Sequence, residues 1–262
     1  MAEWLKDFDP EKEIENITEW IRQWFSENGP TANAVIGISG GKDSTIVAHL
    51  LVRALGKERV IGVLMPDGEQ KDIDDSKKVV ELLGIKHYVV NIHPAVEAAK
   101  GMLADSGVEM GKDAVINTPP RIRMATLYAI AQSVPGGARV ANTCNRSEDY
   151  VGYSTKYGDA AGDFSPCSDF TVTEMRMIGD ALGVPKELTH KTPSDGLSGM
   201  SDEDKLGFTY HEVNELIRKG VHGPNYDKII NMYNKNKFKL EMIRINHFDP
   251  KRPDFFLEHF GI

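Results

Sequence analysis

The sequence holds only two cysteines, Cys144 and Cys167, without C-x-x-C spacing. That excludes a disulfide framework and a thiolate zinc site. Cations are not in excess either: 31 Lys and Arg stand against 39 Asp and Glu, for a net charge of −8 with the two signs interleaved. Nucleic-acid affinity comes largely from clustered Lys and Arg, so no nucleic-acid partner is expected. No apolar run approaches the roughly 20 residues that span a bilayer, and Met1 to Asp9 lacks a basic-then-apolar targeting pattern; the expectation is a cytoplasmic protein with no membrane partner. The eight histidines include no H-E-x-x-H, which removes that zinc chemistry. A Walker A loop is missing too, because it would need Gly at Ile36 and Ser or Thr at Asp43.

What is present is a phosphate loop of another kind. Ser39-Gly40-Gly41-Lys42-Asp43-Ser44 follows the apolar run Ala34-Val35-Ile36-Gly37-Ile38 and precedes Ile46-Val47-Ala48-His49-Leu50-Leu51. This predicts strand, loop and helix. Paired glycines let the backbone approach an anion, the serines add hydroxyl donors, and the helix aims unpaired N–H groups at the charge. Asp43 would repel a bare phosphate, so the loop implies a hard cation such as Mg²⁺ between carboxylate and nucleotide. Five fixed positions at roughly 7% usage each match by chance about once per million positions.

At 262 residues and 40% hydrophobic content the chain can bury one good core. The expected organisation is a single domain over 1–262, with an N-terminal helix and a C-terminal tail peripheral to the core. Ile14, Ile17, Ile21, Trp24 and Phe25 recur at helical spacing, predicting an amphipathic helix over 11–27 that packs on the first strand or on a partner. Strand-like runs at 34–38, 59–65, 86–92 and 138–141 alternate with helical stretches near 45–55, 71–84, 94–104 and 121–133. The alternation predicts an α/β fold, a doubly wound parallel sheet with helices on both faces in three layers, and a ligand beyond the strands' carboxyl ends. Between 142 and 172 periodicity fails, and an irregular stretch of that length is usually functional or disordered.

That stretch carries the second constellation. Asn142-Thr143-Cys144-Asn145-Arg146-Ser147-Glu148 is followed by Gly152-Tyr153-Ser154-Thr155-Lys156-Tyr157-Gly158-Asp159 and then Asp163. Asp43 and Glu148, brought together across the sheet edge, would make a pair of hard oxygen ligands for Mg²⁺. The loop alone leaves the adenylated acid open: another adenylating amide ligase, a sulfur transferase or an idle nucleotide-binding protein would share it.

The loop hexapeptide resembles that of ATP pyrophosphatases of the adenine nucleotide alpha-hydrolase-like superfamily, which has a Rossmann-like fold. Thr143 to Asp163 further resembles the T-x-x-x-x-E and G-Y-x-T-K-Y-G-D-x-x-x-D patterns of one family, the ammonia-dependent NAD synthetases. Met65-Pro66-Asp67-Gly68-Glu69-Gln70, the helix entry Asn117 to Met124, Pro193 to Leu197 and Thr209-Tyr210 extend the likeness over roughly residues 10–255. The resemblance implies a C–N ligase that amidates deamido-NAD with ammonia and ATP, giving NAD, AMP and pyrophosphate through an adenylate. It implies ATP contacts at Gly37, Ile38, Ser39, Gly40, Gly41, Lys42, Asp43, Ser44, Met65, Thr143 and Ser194, and magnesium at Asp43 and Glu148. It places deamido-NAD against Arg121, Lys156, Asp163 and His247, and makes Lys42, Asp43 and Lys156 the catalytic groups.

It also implies a homodimer, with which Trp20, Trp24 and Phe25 are compatible. No fused glutaminase is expected at this length, so ammonia is the donor. Val172 stands where the family has a lysine reaching ATP, and Arg176, one helical turn on, is the expected substitute. Phe248 stands where the family has a lysine. Gly196, Gly199 and Asp202-Glu203-Asp204 suggest a lid.

Overall fold

The computed structural model describes residues 5–69, 73–190 and 201–241, with the backbone of 246–247. Ala34, Val35 and Ile36 are fully buried without alternation, as a central parallel strand with both faces covered should be. They form β1 (Asn33–Gly37), which lies between β2 (Val60–Leu64) and β4 (Ala138–Val140), with β3 (Lys86–Val89) outside β2. All pairings in this sheet are parallel, with Val35 opposite both Ile61 and Val140. A bridge from Ala141 to Phe164 carries the order on to β5 (Phe164–Ser165), which pairs with β6 (Asn246–His247).

The chain thus winds outward from β1 through β2 to β3, then crosses to the other side of β1 to place β4. The strand order therefore reverses between β1 and β4, and in doubly wound sheets the carboxyl ends of the strands at such a switch point are where a ligand crevice is expected. This is the α/β, helix-covered parallel sheet the alternation predicted. Its strands fall within two or three residues of the expected limits.

One face is covered by α1 (Pro10–Asn28), α2 (Lys42–Leu55) and α7 (Val172–Ala181), the other by α4 (His93–Asp105) and α5 (Lys112–Ser133). Asp9 caps α1 by accepting the N–H groups of Glu11 and Lys12, and Pro10 presets its first turn. Ile14, Ile17, Ile21, Trp24 and Phe25 are all buried in the main core, each worth about 2 kcal/mol. Trp24 stacks on Phe164 at 4.7 Å and Phe25 meets the same ring edge-on at 5.3 Å. Trp24 and Phe25 therefore serve the interior and are withdrawn from any surface a second copy would meet.

Two differences from expectation have local causes. Helix α5 begins nine residues before the expected 121, running through Pro119 and Pro120. Side chains satisfy some of the carbonyls of this first half: Asn117 Nδ2 donates to Asp113 and Thr118 Oγ1 to Ala114, both at 2.7 Å. The stretch 142–172 is only partly irregular, since it holds α6 (Arg146–Val151) and β5. A third core joins α6 and Val172 to α9 (Asp202–Leu206), α10 (Tyr210–Lys219) and α11 (Tyr226–Asn236). Between and after these lie α3 (Ile73–Leu83), α8 (Lys186–Thr189) and α12 (Phe238–Glu241). Among the described residues no helix is long and apolar enough to cross a membrane.

Candidate functional site

Ile38 N–H donates to the Val63 carbonyl, holding the exit of β1 against β2. Gly40 then turns with φ 77°, and a Cβ there would meet Asp75 Cβ and Ser76 N at 2.9 Å. Only glycine fits. The loop's hydroxyls bind the loop itself: Ser39 Oγ and Ser44 Oγ are 3.0 Å apart, and Gly41 N–H donates to Ser39 Oγ at 3.2 Å. Thr45 Oγ1 donates to the Gly41 carbonyl at 2.7 Å. No side chain caps α2, so its first N–H groups are left available to an anion, as a phosphate-binding helix start would require.

The structure brings Lys42, Asp43 and Glu148 together. Lys42 Nζ lies 2.6 Å from Asp43 Oδ2 and 3.7 Å from Glu148 Oε1, with its side chain only 4% exposed. Burial alone would lower the Lys42 pKa, but Asp43 and Glu148 more than offset it and hold the ammonium charged. Glu148 sits in the first turn of α6, where Asn145 accepts the N–H groups of Ser147 and Glu148 at 3.1 Å each. Burial pushes the Glu148 carboxyl up; Lys42 opposes this and Asp43 adds to it.

Three polar atoms around this centre are buried without a partner among the described residues: Asp43 Oδ1, the Tyr210 hydroxyl and Arg176 Nε. Native proteins rarely leave such groups unsatisfied unless a ligand or ion completes them. Burial and the nearby Glu148 push the Tyr210 phenol up, so it stays a donor. Sequence reasoning gave Tyr210 no role; its signal was that Thr209-Tyr210 is one of the stretches that carry the family resemblance. Val172 is buried in the third core and cannot reach the crevice, whereas the Arg176 charge acts on Lys42. Replacing Arg176 with alanine is expected to raise KM for ATP roughly tenfold, as read from initial rates; an unchanged KM removes Arg176 from the site.

Other expected residues divide. Thr143 lies just past β4, half-buried. Met65 is buried, and its carbonyl accepts from Arg123 Nε at 3.0 Å. Arg121 and Lys156 are adjacent, Arg121 Nε donating to the Lys156 carbonyl at 3.2 Å. Asp163 is turned to structural use, its Oδ2 accepting Val140 N–H at 2.7 Å and its Oδ1 the Tyr128 hydroxyl at 3.2 Å. Tyr128 lies seven residues along α5 from Arg121, about 10 Å of helix rise. His247 has its backbone beside Ser165; Ser194 and Phe248 lie outside the described residues. Of the expected lid, Gly196 and Gly199 lie outside the described residues; Asp204 completes a capping box with Ser201, Glu203 accepts Tyr210 N–H at the start of α10, and Asp202 accepts from the Tyr153 hydroxyl. Cys144 and Cys167 are buried, and burial pushes both thiols up, away from nucleophilic thiolates.

With this geometry in view, residues 13–243 match the family described as NAD synthase. The chain belongs to the NAD synthase family. Its relatives include an NH(3)-dependent NAD(+) synthetase of Pyrococcus horikoshii, 42% identical over 81% of this chain and 79% of that protein. Another is the enzyme of the same name from Archaeoglobus fulgidus, 38% identical over 88% and 95%. Among solved structures, NMN synthetase from Francisella tularensis superposes with a TM-score of 0.82 at 32% identity, covering 92% of this chain and all of that one. For an NAD synthase the ATP-pyrophosphatase fold and ATP as cosubstrate follow.

Proposed function

We propose that this NAD synthase amidates deamido-NAD with ammonia at the expense of ATP. The observation that carries it is the Lys42, Asp43 and Glu148 cluster at an uncapped helix N-terminus, in a chain of this family. The substrate's pyridine carboxylate attacks the α-phosphorus of ATP, forming an acyl-phosphate bond as the bond to pyrophosphate breaks. Ammonia then adds to the acyl carbon, AMP leaves, and the extra proton goes to solvent.

Lys42 and the first N–H groups of α2 neutralise charge on the departing phosphates, while Arg121 and Lys156 hold the acid. Magnesium fits this chain. Asp43 Oδ1 is buried and unpartnered, and among the described residues no group of three or more His, Cys, Asp or Glu would hold a metal unaided. Two carboxylates completed by phosphate oxygens is the donor set magnesium favours; when bound, the ion supplies charge neutralisation for the triphosphate.

Purified protein given ATP, Mg²⁺, ammonia and deamido-NAD should yield NAD, AMP and pyrophosphate. The likeness to an NMN synthetase makes nicotinic acid mononucleotide the essential competitor. Preferential turnover of the mononucleotide, AMP formation with some other acid only, or ATP binding without turnover would each overturn the proposal.

We also place the enzyme in the cytoplasm, as one domain, working as a homodimer. Unpaired buried thiols suit a reducing compartment. Exposed Met102 on α4 and Val115 and Ile116 on α5 offer apolar surface for a second copy. Sedimentation as a monomer at micromolar concentration would remove the dimer.

A further inference from the structure

Tyr157 is the one non-glycine among the described residues with a left-handed backbone, φ 62°. Bulky residues are rare there, and such conformations persist where the surroundings enforce them, often at functional sites. The enforcement is visible on several sides. Thr155 Oγ1 donates to Asn117 Oδ1 at 2.6 Å, and Thr155 N–H donates to Asp159 Oδ1 at 2.9 Å. Arg121 holds the Lys156 carbonyl. Gly158 lies so close to Pro120 and Thr155 that a Cβ would sit 2.9 Å from each.

The outcome of this bracing is an aromatic ring aimed at solvent, Tyr157 being 56% exposed. A second ring stands beside it. Phe238 opens α12 and is 49% exposed. Its neighbour Lys239 ties the helix down by donating to the carbonyls of Gly152 and Ser154 at 2.8 and 3.1 Å. The Lys156 ammonium lies over both rings, 5.1 Å from the Tyr157 centroid and 5.4 Å from that of Phe238. Two fixed aromatic faces from separate segments thus converge on one cation, next to Arg121.

We propose that Tyr157 and Phe238 form a shelf for the pyridinium ring of the acid substrate. This rests on the proposed reaction and names how its substrate is gripped. The ring is flat and permanently cationic, because its nitrogen carries the ribose; an aromatic face attracts such a ring by cation–π interaction and stacking. The Lys156 ammonium marks where a cation is already favourable. When the pyridinium takes the faces, Lys156 turns to the carboxylate at the ring's edge. Amidation removes that negative charge, so Lys156 loses its partner in the product and is released to compete again for the faces. Binding of the acid and release of the amide then use the same two rings.

The test compares NAD with NADH as inhibitors competitive with deamido-NAD. The two share adenine, riboses and phosphates; only the pyridine ring differs, cationic and flat in NAD, neutral and puckered in NADH. The parent enzyme should bind NAD roughly tenfold more tightly than NADH. In Tyr157→Ala/Phe238→Ala the ratio should collapse to near one, and KM for deamido-NAD should rise roughly tenfold or more with KM for ATP unchanged. Tyr157→Phe and Phe238→Trp, which keep the faces, should retain the parent ratio. Equal inhibition by NAD and NADH in the parent, or a ratio that survives the double substitution, overturns the shelf; equal weakening of both inhibitors assigns the rings to adenine and overturns it too. If the parent does not turn over deamido-NAD, the proposed reaction fails instead, which separates the two claims. Melting temperatures within a few degrees of the parent would show that the variants are folded.

Discussion

Glu148→Gln is expected to lower kcat by about 10²–10³ while leaving the protein folded, because it neutralises one of the two carboxylates proposed to hold magnesium against the triphosphate. The substitution is nearly isosteric. It keeps the backbone N–H that Asn145 caps at 3.1 Å, so α6 retains its start. What it removes is the charge that, with Asp43, pairs with Lys42 and that, in the proposed reaction, would give magnesium a second carboxylate ligand. Lys42 remains paired to Asp43 at 2.6 Å, so ATP should still bind, and the loss should fall on kcat more than on KM for ATP.

Stability should move the other way. Burial raises the Glu148 carboxyl above its ordinary value. Its contribution in the metal-free protein is therefore greatest below the unfolded pKa and declines as pH rises through the folded one. Glutamine does not titrate, so in EDTA the variant should melt at or above the parent temperature, with the gap widening toward alkaline pH. A kcat within tenfold of the parent at saturating Mg²⁺ would sink the assignment of Glu148 to the metal.

The sheet was legible because its central strands are buried on both faces: Ala34-Val35-Ile36 and Val60 to Leu64 are unbroken apolar runs that no other element of that length presents. The first half of α5 was hidden by Pro119 and Pro120, which normally end a helix, and by exposed Val115 and Ile116, which blur its amphipathic pattern. Helix α6 and strand β5 have six and two residues, too few for periodicity to register. A signal for α6 did exist, in Asn145 followed three residues later by Glu148, the spacing of an N-cap with an acid in the first turn.

The phosphate loop could be read because adjacent residues make it. The meeting of Lys42 with Glu148, more than a hundred residues apart, depends on β4 crossing to the far side of β1. Sequence supplied the two carboxylates and the sheet topology supplied their encounter. Asp163 shows the converse: its motif position suggested a ligand contact, while the fold spends both its oxygens on Val140 and Tyr128. Nothing in the sequence announced the left-handed backbone at Tyr157, since three of the residues that brace it, Asn117, Pro120 and Arg121, come from α5.

The largest expected loss of stability lies away from the crevice, at Arg218→Met. Arg218 Nε and its terminal nitrogen meet Glu174 Oε1 and Oε2 at 3.1 and 2.8 Å, and the terminal nitrogen also donates to the Asp169 carbonyl at 2.6 Å. The side chains are 3% and 0% exposed, so water cannot stand in for the missing cation. Removing one member of such a pair leaves a buried, uncompensated charge and costs about 3–5 kcal/mol. In a chain of this size each kcal/mol shifts the melting temperature by roughly 2–4 °C, so a fall of about 6–20 °C is expected in calorimetry.

Neutralising the partner as well distinguishes charge from packing. Glu174→Gln in the same chain removes the stranded anion yet keeps an oxygen for Thr171 N–H, which Glu174 Oε2 accepts at 2.8 Å. The double variant should therefore recover much of the loss. The pair also joins α7 to α10, the helices that carry Arg176 and Tyr210 beside Lys42 and Glu148, so, if those side chains contact ATP as proposed, the single variant should show a raised KM for ATP well below its melting temperature. A melting point within 2 °C of the parent would show that the buried pair is not what fastens the two helices, and the positions of Arg176 and Tyr210 would need another cause.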